Sequence, residues 1–207
     1  MNIDSIIFDL DGTLWDSTDI VLKAWEGVLE NKKEVQKSLT REDLQSIMGF
    51  QVPEASAKLF PYLEEETRIK LMKECCTVEC EWIRREGGAL YENLEETLEA
   101  LSKKYTLFIV SNCQGGYIEA FLEYHDLKKY FKDFECAGNT GLVKGENIKL
   151  VIERNKLGHA IYVGDTQSDC NAAKLADVPF VYASYGFGKV HGFDYSIEGV
   201  GELGKLF

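Results

Sequence analysis

The sequence predicts an α/β protein with a doubly wound parallel sheet and an inserted α-helical domain. An apolar run at residues 3–10 ends in two aspartates and a glycine, which is typical of a buried strand that enters a turn. Strands and helices alternate from residue 90 onward, as in parallel sheets with helices on both faces. Between these parts lie about 70 residues of helical periodicity, far more than a usual crossover connection contains.

Composition limits the class of protein and its partners. The chain has 207 residues, of which 45% are hydrophobic, so it is long enough for one large domain or for a core that carries an insert. The net charge of −12 disfavours nucleic acid and anionic membranes as partners. No apolar stretch approaches the roughly 20 residues that span a bilayer, and no signal peptide is evident. We expect a cytoplasmic protein, with a monomer as the default.

The placement of the six cysteines favours reduced thiols. Three fall in one predicted helix and three follow or occupy predicted strand ends, as expected for small buried residues of a cytosolic protein. Cys76 and Cys80 could share a helical face, but no Cys-x-x-Cys pair or nearby histidine indicates a metal site. The six residues are Cys75, Cys76, Cys80, Cys113, Cys136 and Cys170.

The segment after the first strand is predicted to be helical throughout. Apolar residues recur at helical spacing over residues 16–31, and Thr40 with Asp43 resembles a capping box that starts a short helix. Pro53 opens another short helix, and residues 62–85 form a long one that ends at a glycine pair. No strand is expected here. We therefore predict a helical domain at residues 16–86 and an α/β core at residues 1–15 and 87–207.

The core is predicted to alternate between helices and strands. Helices are expected at residues 94–103, 116–129, 148–156 and 172–176. Further strands are expected at residues 106–110, 134–137, 160–163 and 179–182, and the last of these is the final strand of the sheet.

Polar residues follow the predicted strands at the edge where parallel sheets bind ligands. One strand that ends in an acid is unremarkable, because such an acid often caps a helix or is solvated. Several such groups in succession at one edge indicate a site. They are Asp9 and Asp11 after the first strand, Ser111 and Asn112 after the second, Lys144 after the third, and Asp165 with Asp169 after the fourth.

The types of these residues indicate phosphoryl transfer. Asp9 and Asp11 are like charges close together, so they need a cation or a raised pKa, and Mg²⁺ suits an all-oxygen set of ligands. A carboxylate on a rigid strand can attack phosphorus, and a second carboxylate can protonate the leaving oxygen and then deprotonate water. A hydroxyl, an amide and an ammonium group can hold the phosphoryl oxygens.

Four segments resemble the four motifs of the haloacid dehalogenase superfamily, in the expected order. They are Asp9-Leu10-Asp11-Gly12-Thr13, Ser111-Asn112, Lys144 and Gly164-Asp165-Thr166-Gln167-Ser168-Asp169. The helical insert after the first motif resembles the cap of the phosphoglycolate phosphatase and β-phosphoglucomutase branch. The resemblance implies a Rossmann-like core with a helical cap, and a phosphoric monoester hydrolase that acts on a small phosphorylated metabolite.

The resemblance also implies roles for the motif residues. Asp9 would be the nucleophile that carries an aspartyl-phosphate, and Asp11 the general acid and base. In the dehalogenase branch the second acid is absent, so Asp11 indicates phosphate rather than halide chemistry. Mg²⁺ would be held by Asp9, the backbone carbonyl of Asp11, Asp165, and Asp169 through water. The substrate phosphate would be bound by Ser111, Asn112 and Lys144.

Three alternatives remain open. A β-phosphoglucomutase-type phosphotransferase would share all four motifs and return the phosphoryl group from Asp9. A receiver-like signalling domain also combines an α/β fold with an acidic pocket, Mg²⁺ and a lysine, but it predicts a smaller chain without the insert. Lys149 competes with Lys144 as the phosphate-binding lysine, because Lys144 is followed by glycine where relatives often have proline.

The insert is expected to set the substrate preference. The turn at residues 49–51 is the best candidate for a loop that faces the site. Trp15 follows the first motif and either forms a wall against the substrate or packs between insert and core. Arg41, Arg84 and Arg85 could contact an anionic substrate, although arginines on helices are usually solvated.

Overall fold

A computed structural model describes residues 3–206, so residues 1, 2 and 207 of the predicted core domain lie outside the described range. The strands are β1 (Ser5–Phe8), β2 (Trp15–Asp16), β3 (Ala89–Leu90), β4 (Thr106–Ser111), β5 (Phe131–Cys136), β6 (Ala160–Gly164), β7 (Phe180–Ala183) and β8 (Tyr195–Ile197). Six of them form one parallel sheet in the order β5-β4-β1-β6-β7-β8. The predicted α/β fold with a parallel sheet is confirmed.

Ten α-helices accompany the strands within residues 3–206. They are α1 (Thr18–Leu29), α2 (Arg41–Gln45), α3 (Val52–Leu59), α4 (Glu65–Glu86), α5 (Leu94–Ser102), α6 (Tyr117–Tyr124), α7 (Ala137–Thr140), α8 (Lys144–Asn155), α9 (Gln167–Ala176) and α10 (Leu203–Leu206), with 3₁₀ turns at Lys128–Tyr130 and Val200–Glu202. Helices α1–α4 lie between β2 and β3 in the chain. None of the described helices is long and apolar enough to cross a membrane.

Both faces of the sheet are covered, because successive side chains of a strand point to opposite faces. Ile7 of β1 belongs to a cluster that includes Ile148 of α8 and Ala173 of α9. Its neighbours Ile6 and Phe8 belong to a larger cluster that also contains residues of α1, α4, α5 and α6. The central strand is therefore apolar on both sides, which explains its continuous apolar run.

A two-stranded antiparallel ribbon joins the helical insert to the core. Trp15 pairs with Leu90 and Asp16 pairs with Ala89, so the chain leaves the core and returns to it at adjacent points. The Trp15 ring is fully buried and packs against Phe121 with ring centroids 4.8 Å apart. Trp15 is thus a packing residue between insert and core. The prediction that no strand lies within residues 16–86 is wrong at Asp16, because two-residue strands leave no alternating pattern.

Several elements of the core differ from the predicted ones. The strand expected at residues 134–137 begins at Phe131 and ends at Cys136, before Ala137 of α7, and the helix expected at residues 172–176 begins at Gln167. The helix expected at residues 116–129 ends at Tyr124, because Asp126 adopts a left-handed conformation with φ +53°. The helix expected at residues 148–156 begins earlier, at Lys144, after an extended Val143. The strand at residues 179–182 is not the last one, since β8 adds a short edge strand whose middle residue, Ser196, is exposed.

Replacing Trp15 by alanine should destabilise the protein strongly. The change leaves a large cavity between the insert ribbon and α6, so the free energy of unfolding should fall by about 3–5 kcal/mol. Urea denaturation followed by far-UV circular dichroism measures this loss. The control is Phe193→Ala at an exposed aromatic residue, which should change stability by about 0.5 kcal/mol or less. Equal losses in the two variants would contradict the packing role of Trp15.

Candidate active site at the carboxyl edge of the sheet

The order of the strands brings the predicted site residues together. Strand β1 lies between β4 and β6, and Phe8 is in register with Ile109 on one side and with Val163 on the other. All three strands run in the same direction, so the residues at their carboxyl ends share one edge. Asp9 and Asp165 directly follow β1 and β6 in the chain. This is the edge at which open α/β sheets bind ligands.

Three acids and one lysine form a buried cluster at this edge. Carboxylate oxygens of Asp9, Asp165 and Asp169 lie within 4.8 Å of one another. Lys144 Nζ lies 3.0 Å from Asp9 Oδ1 and 2.6 Å from Asp169 Oδ1. None of the four residues is more than 3% exposed, so water screens their charges poorly. We call these four residues the acid cluster.

The start of α9 fixes Asp169 within the acid cluster. Thr166 is the N-cap residue of this helix, and its hydroxyl accepts a hydrogen bond from the backbone N–H of Asp169. Asp169 Oδ2 in turn accepts hydrogen bonds from the backbone N–H of Thr166, at 2.9 Å, and from its hydroxyl, at 2.6 Å. This reciprocal capping box orients the other oxygen, Oδ1, towards Lys144.

A tight turn and a backbone donor position Asp165. Its Oδ2 accepts a hydrogen bond of 2.7 Å from the backbone N–H of Phe187. Gly12 has φ +76°, and a Cβ atom at this position would lie 2.2 Å from Asp165 Oδ2. Only glycine therefore allows the loop after β1 to approach Asp165 this closely. This close contact between the loop and Asp165 explains why the first motif has a glycine at position 12.

The protonation of the acid cluster reflects its excess of negative charge. Burial, and then the proximity of Asp169, raise the pKa of Asp9 to about 7, although Lys144 opposes this rise. Burial also raises the pKa of Asp165 well above its ordinary value, again helped by Asp169. Burial lowers the pKa of Lys144, but Asp169 and Asp9 outweigh it, so that the pKa lies above its usual value. One ammonium group does not compensate three carboxylates.

Asp11 lies apart from the acid cluster in its hydrogen bonding. Its Oδ1 accepts hydrogen bonds from the hydroxyl of Ser17, at 2.5 Å, and from that of Tyr117, at 2.8 Å. Burial raises the pKa of Asp11, while these two donors lower it, and the net shift is upward. The carboxylate of Asp11 is not among the three that could hold a metal ion. The only group of Asp11 that could then bind a metal ion is its backbone carbonyl, which is also the ligand that the motif resemblance implies.

A comparison with known proteins decides the family. A profile of the haloacid dehalogenase-like hydrolases matches residues 6–183, a range that contains Asp11 and the whole acid cluster. The chain belongs to the haloacid dehalogenase-like hydrolases. This membership confirms the resemblance seen in the four motifs, and it disfavours the receiver-like alternative.

Relatives within the family support its phosphatase branch. A phosphoglycolate phosphatase from Salmonella typhimurium is 26% identical, over 90% of this chain and 83% of its own length. One from Escherichia coli O157:H7 is 25% identical, over 94% of this chain and 86% of its own. A crystal structure of a haloacid dehalogenase-like protein from Bacteroides fragilis shares the fold, with a TM-score of 0.86 at 22% identity, and covers 98% of this chain and 100% of that one. The curated relatives support the expected phosphatase enzyme.

Asn112 connects the family's second motif to the insert. Its Nδ2 donates a hydrogen bond of 2.7 Å to the carbonyl of Gly49, in the turn expected to face the site. Ser111, Asn112, Gly49 and Phe50 all line a cavity of about 90 Å³ that also contains Asp9 and Asp11. The turn at residues 49–51 therefore does reach the site.

Several residues considered for the site of this hydrolase lie elsewhere. Lys149 is part of an exposed ion pair with Glu146, whereas Lys144 lies in the acid cluster. Arg41 forms ion pairs with Asp16 and Asp19 at the entry of the insert. Arg84 is bound to Glu123 and to the carbonyl of Gly116, and Arg85 lies over the ring of Trp82. None of these four basic side chains lines the cavity that contains Asp9 and Asp11, as far as the described residues show.

Sequence reasoning missed one acid in this cavity, Glu79 of α4. Glu79 is 4% exposed and accepts hydrogen bonds from the Trp25 indole N–H and from the Gln114 amide. Burial raises the pKa of Glu79 to about 8, and the charge of Asp11 adds to the rise. No family motif contains this residue, and α4 is rich in exposed charges. The only sequence signal is the helical spacing of Glu79 with the residues that are buried on the same face of α4, which predicts that its side chain points inwards. These residues are Cys75, Cys76, Cys80 and Ile83.

Replacing Lys144 by methionine should destabilise the metal-free enzyme, because it leaves three buried carboxylates without a cation. We expect the free energy of unfolding at pH 7.5 to fall by about 3–5 kcal/mol. Lys149→Met breaks only an exposed pair and should cost about 0.5 kcal/mol or less. Urea denaturation in the presence of a chelator compares the two variants. A larger loss in Lys149→Met would reverse the assignment of the buried lysine.

The raised pKa of Glu79 predicts how stability changes with pH. The carboxyl ionises near its ordinary pKa of 4.5 in the unfolded chain but near pH 8 in the folded enzyme. The unfolded state therefore loses its proton first, and folding stability falls as pH rises between these values. The free energy of unfolding of the wild type, relative to Glu79→Gln, should decrease from about pH 4.5 to about pH 8 and level off above. Denaturation at a series of pH values measures this difference, and a constant difference would contradict the shift.

Proposed function

We propose that this chain is a Mg²⁺-dependent phosphatase that hydrolyses a small phosphorylated metabolite through an aspartyl-phosphate. One observation carries the proposal: the two acids after β1 have different partners. Asp9 lies beside Lys144 in the acid cluster, whereas Asp11 is held by Ser17 and Tyr117. Two acids in different environments suit two different roles, one as nucleophile and the other as proton donor and acceptor.

The residues of the acid cluster fit a magnesium ion. Three carboxylates and one ammonium group leave two negative charges uncompensated when all four are ionised, and a divalent cation balances them. Asp9, Asp165 and Asp169 offer only oxygen atoms, which are the ligands that Mg²⁺ prefers. We propose that these three residues and the backbone carbonyl of Asp11 hold the ion, with Asp169 acting through water. When bound, Mg²⁺ would neutralise charge between the nucleophile and the phosphoryl oxygens.

The proposed reaction has two steps. In the first, an oxygen of Asp9 attacks phosphorus, and the bond from phosphorus to the ester oxygen breaks as that oxygen takes a proton from Asp11. In the second, Asp11 takes a proton from water, whose oxygen attacks phosphorus and releases phosphate and the Asp9 carboxylate. The raised pKa of Asp11 favours the protonated form that the first step requires.

The phosphoryl group is proposed to lie among Ser111, Asn112 and Lys144. Ser111 ends the strand next to β1, and Asn112 lines the cavity beside it. Lys144 is held within 3.0 Å of the nucleophile, where its ammonium group can stabilise the charge on the transferring oxygens. These contacts support binding of the phosphate rather than of the alcohol part of the substrate.

Helices α1–α4 are proposed to form a cap domain, residues 16–86, on a core of residues 1–15 and 87–207. The two crossings between these parts are paired in the ribbon of β2 and β3, which supports a boundary there. The cap supplies Gly49 and Phe50 to the cavity, and Asn112 of the core binds Gly49. A monomeric state and a cytoplasmic location remain predictions from the sequence.

A phosphotransferase of the β-phosphoglucomutase type would share these steps and would need to hold a second phosphate. The three arginines considered for such contacts do not line the cavity and form ion pairs outside it: Arg41 with Asp16, Arg84 with Glu123 of α6, and Arg85 with Glu86. We therefore propose transfer of the phosphoryl group to water.

Separate substitutions should distinguish the roles of the two acids. Asp9→Asn should abolish phosphate release, whereas Asp11→Asn should slow turnover of alkyl phosphates by about 10²–10⁴-fold. With p-nitrophenyl phosphate, whose leaving group needs no proton, Asp11→Asn should accumulate phosphorylated enzyme that intact-protein mass spectrometry detects. Asp9→Asn should show none.

The control for both variants is Asp19→Asn, which removes an exposed carboxylate of the insert and should leave turnover unchanged. Full activity of a folded Asp9→Asn protein would refute the proposed mechanism.

Magnesium should both support turnover and stabilise the fold. A chelator should stop phosphate release, and Mg²⁺ at 100 times its dissociation constant should add about 2.7 kcal/mol to the free energy of unfolding. Thermal unfolding with and without Mg²⁺ measures the second effect without any substrate. Asp165→Asn should reduce both effects, because it removes one proposed ligand. Turnover that persists in excess chelator would exclude the metal.

A further inference from the structure

The cavity beside Asp9 and Asp11 has a distinct chemical character. Its walls are mainly apolar side chains of the insert, among them Val21, Leu44, Ile47 and Met72. Among the described residues that line it there is no lysine, arginine or histidine. Lys144 lies beside Asp9, so a negatively charged group in the part of the cavity away from Asp9 would lose its hydration without gaining a cationic partner.

Hydrogen-bond acceptors face this cavity from three sides. Asp11 and Glu79 contribute carboxylates, and Asn112 Oδ1 is a buried acceptor that has no hydrogen-bond partner within residues 3–206. Two donors that line the cavity are already engaged, because Tyr117 donates to Asp11 and Gln114 donates to Glu79. A ligand that binds near Asp11 and Glu79 would therefore gain most from supplying donors of its own.

We propose that Glu79 is a specificity-determining residue, which selects phosphomonoesters whose alcohol carries a hydroxyl or ammonium donor close to the ester oxygen and rejects those with a carboxylate there. The inference rests on the proposed phosphatase function. It concerns the alcohol part of the substrate, whereas the four family motifs are proposed to act on the phosphoryl group and its ester oxygen.

The fixed orientation of the Glu79 side chain supports its role in substrate selection. The Trp25 indole N–H and the Gln114 amide each bind one of its two oxygens, so the side chain cannot turn away from the cavity without breaking a buried hydrogen bond. The buried, mainly apolar surroundings of Glu79 disfavour negative charge, and burial raises the pKa of Glu79 to about 8. A carboxylate of the substrate would meet the same penalty, increased by two acidic neighbours.

Two cations lie in a neighbouring groove and limit the scope of the proposal. Lys73 and Arg84 line that groove, which shares Cys76 and Gln114 with the cavity. A long substrate could place a remote anion there. We expect a carboxylate that is bonded to the ester carbon to have less freedom, because that carbon stays near Asp11, and to lie in the cavity lined by Asp11 and Glu79. The proposal therefore separates this chain from enzymes whose substrate is phosphoglycolate, a two-carbon phosphate with a carboxylate.

Three two-carbon phosphomonoesters of nearly equal size test the proposal directly. They are O-phosphoethanolamine with an ammonium group, 2-hydroxyethyl phosphate with a hydroxyl, and 2-phosphoglycolate with a carboxylate. In the Mg²⁺-loaded wild type at pH 9, above the pKa of about 8 at which Glu79 ionises, kcat/KM should be about 100-fold higher for the first two than for 2-phosphoglycolate. A preference for 2-phosphoglycolate would overturn this inference and leave the phosphatase proposal intact. Failure to hydrolyse these esters and p-nitrophenyl phosphate would overturn both.

Substitution of Glu79 tests the residue itself. In Glu79→Gln the new amide can accept from Trp25 and donate to Gln114 once the Gln114 amide turns over, so the packing is kept. We expect kcat/KM to fall about tenfold for O-phosphoethanolamine and to rise about tenfold for 2-phosphoglycolate. The matched control is Glu66→Gln, an equal charge change at an exposed position of the same helix, which should alter neither value. If the ratio of kcat/KM for O-phosphoethanolamine to kcat/KM for 2-phosphoglycolate is unchanged in a folded Glu79→Gln protein, the assignment of Glu79 is overturned.

Discussion

The excess of buried negative charge at the carboxyl edge of the sheet is the constraint on which the other features of the site depend. Three carboxylates share a water-poor space with one ammonium group, an arrangement that is unfavourable without a further cation. The capping box at the start of α9, the glycine turn after β1 and the backbone N–H of Phe187 hold these groups in place. The fold therefore holds these residues in an arrangement that suits the proposed metal ion and phosphate.

The same chain keeps two neighbouring acids chemically different. Asp9 and Asp11 are separated by one residue, yet one interacts with a lysine and two acids, and the other with two hydroxyl groups. Tyr117 comes from α6 of the core and Ser17 from the entry of the insert. The environment of the proposed proton donor is thus completed only where core and insert meet, which couples the chemistry to the presence of the insert.

The sequence predicts those parts of the site that follow apolar strands, because a buried central strand gives a continuous apolar run and its end is easily located. Asp9, Ser111 and Asp165 are found in this way, and Asp169 follows Asp165 by four residues. Glu79 has no comparable signal, because it is one acid among many on α4 and its inward orientation depends on tertiary packing. The ribbon and β8 are missed for another reason: strands of two or three residues are too short to show a period.

The ribbon of β2 and β3 allows the helical segment to vary in evolution independently of the sheet. Since the chain enters and leaves the helical segment at paired residues, a segment of different length or shape can occupy this position without displacing β1 or β4. Recombination just after Ser17, whose hydroxyl binds Asp11, and before β3 would exchange the walls of the substrate cavity while the residues that act on phosphorus stay in place. Selectivity and reactivity can in this way be inherited as separate modules.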